Sequence, residues 1–127
     1  MSALIIEPID KAQREQVCAE TLACLRRAES LFELKHRPIE IRFDLQGRAA
    51  GMYRVRRRQQ VIRYNPYLFA RYFEHGLDTT VPHEVAHYVT DRLYGLAHVR
   101  PHGREWKTVM LALGAEPRAS ARFDLEG

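Results

Sequence analysis

Apolar residues recur at helical spacing through residues 8–36. Val17, Leu22, Leu25, Ala28 and Phe32 stand three to five apart with charged residues between them, which predicts one long amphipathic helix. Pro8 is tolerated near its start, and Pro38 closes it. The period then changes to two. Ile39, Ile41, Phe43 and Leu45 alternate with charged residues, which predicts a half-buried strand over 39–45. After a turn at Gln46, Gly47 and Arg48, residues 50–55 and 61–64 read as two further strands. Arg56, Arg57, Arg58, Gln59 and Gln60 form the polar hairpin tip between them. Asn65-Pro66 is a helix start, since Asn caps free N–H groups and Pro suits the first helical position. A short helix over 67–74 follows, which Gly76 breaks. Thr79 or Thr80 caps the next helix, which runs to about Tyr94 and stops at Gly95. A loop over 96–101 leads to a last helix over 103–113 with Gly114 at its C-terminal stop. Residues 115–127 lack periodicity and read as a tail.

Strands run together and helices run together. That order predicts an α+β fold with a small three-stranded antiparallel sheet, packed with the long N-terminal helix, a central helix and a C-terminal helix. A chain of 127 residues suits one domain over 1–127, with a core over about 8–115 and a C-terminal tail over 116–127.

Composition narrows the class. Hydrophobic residues make up 46% and charged residues 28%, which excludes a disordered chain. No apolar run approaches the roughly 20 residues of a spanning helix, so no membrane partner is expected. The first residues lack a basic segment followed by an apolar one, so no cleaved export signal is expected. Cys18 and Cys24 fall six apart on one predicted helix, about 120° around it and about 9 Å along it, too far to pair. Free thiols point to the cytoplasm. No CxxC pair is present, which excludes a cysteine-built zinc ribbon within these residues. The net charge of +4 is modest, but the basic residues are almost all arginine, with only Lys11, Lys35 and Lys107 as lysines. Arginine's planar fork suits phosphate and carboxylate.

The candidate chemistry is concentrated between residues 83 and 102, where four of the six histidines fall. His83-Glu84-Val85-Ala86-His87 is an H-E-x-x-H motif within a predicted helix. Residues i and i+4 share a face about 6 Å apart along the axis, so two imidazoles can converge on one metal. Glu84 projects about 100° away, where a base can stand beside a nucleophile activated by the metal. Val81, Val85, Val89 and Leu93 form an apolar stripe opposite the histidines, which turns His83 and His87 toward a cleft. A catalytic zinc takes three protein ligands and keeps one position open. Thr90 and Leu93 stand where metzincins need Gly and His, so that family is excluded. His98, His102, Glu105 and Glu116 remain as third ligands. His102 is preferred, because Pro101 and Gly103 fix it at the mouth of the last helix; Glu105 comes second.

Val81-Pro-His-Glu-Val-Ala-His87, followed by Pro101-His-Gly-Arg-Glu-Trp-Lys107, resembles the SprT-like family of zinc metallopeptidase domains. The strand start at Ala50-Gly51 and the helix start at Asn65-Pro66 are similar too. The resemblance spans about residues 46–115. It implies a zincin-like fold, one zinc ion held by His83, His87 and His102, Glu84 as general base, and a protein or peptide substrate. Eukaryotic relatives, Spartan and the Wss1-type proteases, cleave proteins crosslinked to DNA. Many bacterial members carry a further C-terminal cysteine-based zinc ribbon.

Arg54, Arg56, Arg57, Arg58 and Arg63 cluster on one hairpin. They read either as non-specific contacts to DNA phosphates or as a solvated turn that discourages edge pairing. Trp106 is expected to pack against the metal-binding helix. Tyr94 shares the face of His83 and His87 and is the candidate hydrogen-bond donor to an oxyanion. The first functional reading is a zinc metallopeptidase. The alternative is a DNA-binding or regulatory module whose zinc is mainly structural.

Overall fold

The computed structural model describes residues 7–35 and 37–118. Its first helix, α1 (Lys11–Phe32), starts three residues later than the periodicity implies. Asp10 is the reason. Its carboxylate accepts the Gln13 backbone N–H at 2.8 Å, and the Gln13 side chain accepts the Asp10 N–H at 3.1 Å, a reciprocal capping box. At the other end Glu33 adopts a left-handed conformation and stops the helix. The buried seam is Val17, Thr21, Cys24, Leu25 and Ala28, whereas Leu22 is exposed. Thr21 is tolerated because its hydroxyl bonds both the Val17 carbonyl and the Tyr64 hydroxyl, each at 2.8 Å. Cys18 and Cys24 are free thiols.

Three strands follow: β1 (Glu40–Arg42), β2 (Gly51–Arg56) and β3 (Gln59–Tyr64), in the spatial order β1-β3-β2. β2 and β3 are antiparallel, as expected for a hairpin, but β1 pairs with β3 in parallel. The sheet is therefore mixed rather than antiparallel. Alternation along 39–45 reports that the segment is half-buried; it carries no information on a neighbour's direction, which the path through residues 43–50 decides. The register places Glu40, Val61 and Arg54 side by side, then Arg42, Arg63 and Met52. Since side chains alternate, these residues share the outer face, and Ile41, Ile62 and Tyr53 share the face toward the helices.

The hairpin is tighter than the sequence implies. β2 and β3 continue to the pair Arg56–Gln59, leaving only Arg57 and Arg58 as the turn. Both have positive φ, 51° and 65°. A two-residue turn of this kind normally carries Asn-Gly or Asp-Gly.

Asn65 joins the sheet to the helical half. Its Oδ1 accepts the N–H groups of Tyr67 and Leu68 at 3.0 and 3.2 Å, capping α2 (Pro66–Arg71). Its Nδ2 donates to the carbonyls of Gly47 and Ala49 at 3.0 and 3.2 Å, pinning the loop that leads into β2. Gly76 does not break the chain's helical course. After the short α3 (Phe73–His75), a π-helical turn (Gly76–Thr80) runs directly into α4 (Val81–Tyr94). Glycine is needed at 76 for space: a Cβ there would lie 2.6 Å from the Phe69 ring. Neither threonine caps α4, because the preceding turn supplies the partners; the Val81 N–H reaches the Gly76 carbonyl, and Thr79 bonds back to the His75 carbonyl.

α4 is the centre of the fold and contacts α1, β2 and α5 (Arg104–Ala112). Val81, Val85 and Val89 are fully buried, each worth about 1.5–3 kcal/mol relative to exposure. Leu93 lies at the rim instead. No helix among the described residues is long and apolar enough to cross a membrane.

The turn generates a stability prediction. Left-handed conformations cost an L-residue about 1–2 kcal/mol. The double variant Arg57→Asn, Arg58→Gly should therefore raise the thermal midpoint by roughly 3–6 °C per kcal/mol relieved. A midpoint that stays put or falls in a melting experiment would show that the turn is not strained.

Candidate metal centre

α4 presents His83 and His87 one helical turn apart on the side away from its valine stripe. The third histidine arrives by a different route. Gly95 (φ 83°) ends α4, a 3-10 turn (Leu96–His98) follows, and a tight turn closes with the Gly103 N–H on the Arg100 carbonyl at 3.0 Å. His102 within that turn has φ 58°, an uncommon conformation for a side-chain-bearing residue and one that swings its ring over α4. Its Nε2 lies 3.0 Å from that of His83 and 3.1 Å from that of His87. Trp106, the first buried residue of α5, forms the floor. Its ring stacks on His87 at 5.6 Å and meets His83 and His102 edge-on at 4.8 Å each. Its Nε1 donates to the His83 carbonyl at 3.2 Å, which locks α5 to α4.

Three imidazole nitrogens crowded together are poorly matched as a hydrogen-bond network, because each neutral ring offers a single proton. They suit a metal ion well. Tetrahedral zinc at about 2.0–2.1 Å from each nitrogen spreads its ligands by about 3.3–3.4 Å, near the two spacings from His102, and all three ligand atoms lie within 4.8 Å of one another. The electrostatics agree with that donor set. Burial, then the neighbouring His87 and His102, push His83 down to about 3, against a backbone hydrogen bond at Arg118. Burial, then His102, push His87 down to about 4, and burial also lowers His102. All three rings are thus held neutral, the form that ligates metal.

Glu84 is 2% exposed, and its Oε2 lies 3.9 Å from His83 Nε2. Burial pushes its carboxyl up to about 8, opposed by a hydrogen bond from the Tyr53 backbone N–H. With Glu84 protonated and His83 neutral in the metal-free protein, that approach is not an ion pair. The carboxyl is wedged against β2, where a Cβ on Gly51 would fall 2.8 Å from Oε2. A cavity of about 630 Å³ opens beside it, walled by Met52 and Tyr53 on one side and by Leu96, Val99 and Pro101 on the other.

The structure brings together His83, Glu84, His87 and His102, and it places Trp106 beneath them. It does not bring Tyr94 to the cavity; that ring is 51% exposed at the end of α4. His98 and Glu116 are exposed, and Glu105 lies outside the three-histidine group. The five hairpin arginines do not line the cavity either. Sequence reasoning missed Asp91 and the placement of Tyr53. The Tyr53 hydroxyl donates to Asp91 Oδ2 at 2.6 Å, and Asp91 Oδ1 accepts the Leu96 N–H at 3.2 Å. One carboxylate thereby fastens β2 to the start of the loop that carries His102. Asp91 continues the spacing 83, 87, 91 along one face of α4, the one signal that could have found it.

Comparison with known proteins agrees with the geometry. The SprT-like family model matches residues 21–124. The chain is 36% identical over 103 residues to Protein SprT of Pseudomonas paraeruginosa, covering 81% of this chain and 61% of that protein. It is 33% identical over 96 residues to Protein SprT of Pseudomonas savastanoi pv. phaseolicola, covering 76% and 57%. The chain thus spans about three fifths of the length of these relatives. No solved structure gives a significant match. With its histidine triad inside the matched region, this chain belongs to the SprT-like family.

Proposed function

We propose that this is a zinc-dependent peptidase domain of zincin-like fold, binding one zinc ion through His83, His87 and His102. The observation that carries the reading is the convergence of three imidazoles beside a buried glutamate at the wall of an open cavity. A site with three protein ligands facing a cavity supports catalysis over a closed structural zinc. Zinc held there supplies the Lewis acidity that makes water a nucleophile at neutral pH.

The chain's own residues do the rest. Glu84 Oε2 takes the proton from the attacking water and returns it to the leaving amine. Its raised affinity for a proton suits that exchange, and a cation at the histidines draws the value back toward the ionised form. The Tyr53 N–H orients the carboxylate, and Gly51 leaves room for it. β2 is an edge strand of the sheet and borders the cavity, so an extended polypeptide can pair along it. Met52, Leu96 and Val99 offer apolar contact to its side chains. The arginine-rich outer face of the sheet supports DNA-associated proteins as the substrate class, with DNA as a non-specific partner.

Two variants test the mechanism. Glu84→Gln should lower proteolysis of a protein substrate by about 100-fold or more while zinc content stays at one per chain; undiminished cleavage would remove Glu84 from the reaction. Gly51→Ala pushes a methyl group into Glu84 Oε2. It should cut activity by about tenfold or more with zinc retained, and wild-type activity would show that the carboxylate has room to move.

A further inference from the structure

On the face of the sheet turned away from α4, Val61 lies at the floor of a hollow of about 640 Å³. Arg42, Arg54, Arg56, Arg57 and Gln59 form its walls. Val61 itself is only 3% exposed although no helix covers it, because long arginine stems do. The guanidiniums around it are not equivalent. Arg63, on the same face, is engaged by Asp44 at 2.8 Å, and Arg42 is held in a fork by Glu40 at 2.8 and 3.0 Å. Arg54, Arg56 and Arg57 make no side-chain hydrogen bond among the described residues, although Arg54, after the Arg42 hydrogen bond, helps to lower the Glu40 carboxyl. Arg54 Nε is out of contact with solvent and has no hydrogen-bond partner. A buried donor left in that state is costly, and the exposed Arg56 and Arg57 at the walls of the hollow are open to an oxyanion. The turn adds an independent observation. Arg57 stands in a left-handed position where Asn or Gly is the comfortable residue, and it stands there at the rim of this hollow.

We propose that the outer face of the sheet is a phosphate-binding groove, with Arg54, Arg56 and Arg57 as its contacts, whereas Arg42, like Arg63, is committed to a carboxylate. The groove deepens the reading of DNA as partner by assigning the residues that touch its backbone, and it rests on that reading only for the source of the phosphate. Arg58 belongs elsewhere: with Arg37 and Gln60 it lines a separate hollow. Arg63 is committed to Asp44. The five arginines of the hairpin thus divide into three that bind and two that do not. Because the groove lies across the sheet from the metal cavity, a strand seated in it leaves the cavity free for polypeptide. Guanidinium forks on phosphate oxygens carry no base information, so the groove is indifferent to sequence.

The test is a fluorescence titration of the zinc-loaded chain with a labelled mixed-sequence 20-nucleotide DNA at several salt concentrations, repeated with tripolyphosphate as competitor. Three phosphate contacts give a log–log salt slope of about −2 to −3 and a Kd of roughly micromolar at physiological salt. Arg54→Gln, Arg56→Gln, Arg57→Gln together, which keep much of the stems over Val61, should weaken binding at least tenfold and flatten the slope by about 2. Arg63→Gln should bind within about twofold of wild type by the same count of phosphate contacts. Arg57→Gln alone, at an exposed position, should weaken binding measurably and guards against misfolding of the triple variant. Tripolyphosphate should displace the DNA. If tripolyphosphate binds and DNA does not, the groove stands and the DNA source falls. Equal DNA affinity and slope in wild type and triple variant would overturn the groove. Binding is read without turnover, so a chain that fails to cleave protein leaves this result intact, and the reverse holds too.

Discussion

The whole arrangement depends on one helix being asked to do two incompatible things. α4 must bury Val81, Val85 and Val89 against α1 and the sheet, yet carry His83 and Glu84, which are themselves almost wholly enclosed. A buried ionised carboxylate is too costly to hold without a partner. The protein meets that constraint with neutral groups: burial favours a protonated Glu84 and unprotonated imidazoles. A metal at the three Nε2 atoms would supply the one charge that favours an ionised Glu84, and it would reinforce the neutral state of the imidazoles. The same enclosure that makes the site expensive makes it responsive.

Much of the surrounding structure can be read as support for that helix. Trp106 bridges α5 to α4 through the His83 carbonyl and lies under all three rings. Asp91 secures β2 and the loop start from the same helix. Asn65 fixes the entry to β2, so that Gly51 arrives against Glu84 with no side chain in the way. Each of these contacts joins segments far apart in the chain.

What the sequence disclosed follows from which physics is local. The H-E-x-x-H spacing is a property of helix geometry, so His83, Glu84 and His87 were legible at once. His102 was legible because Pro101 and Gly103 mark a fixed turn, and the family resemblance pointed to the same residue. The direction of β1 was not legible, since alternation says nothing about a neighbour's course. Gly76 looked like a breaker because its packing against Phe69 is a tertiary fact. Tyr94 was placed on the right face of α4 but one turn too far along, where the helix has left the cavity. Among the arginines, sequence saw a cluster; only the placement of Asp44 and Glu40 separates the paired from the unpaired.

Everything proposed for this chain turns on an open metal site at His83, His87 and His102. X-ray absorption at the zinc edge of the zinc-loaded chain tests it most directly. Three imidazole nitrogens at about 2.0–2.1 Å together with one exchangeable oxygen ligand are expected. Two imidazoles, or a closed sphere of four protein ligands, would contradict it.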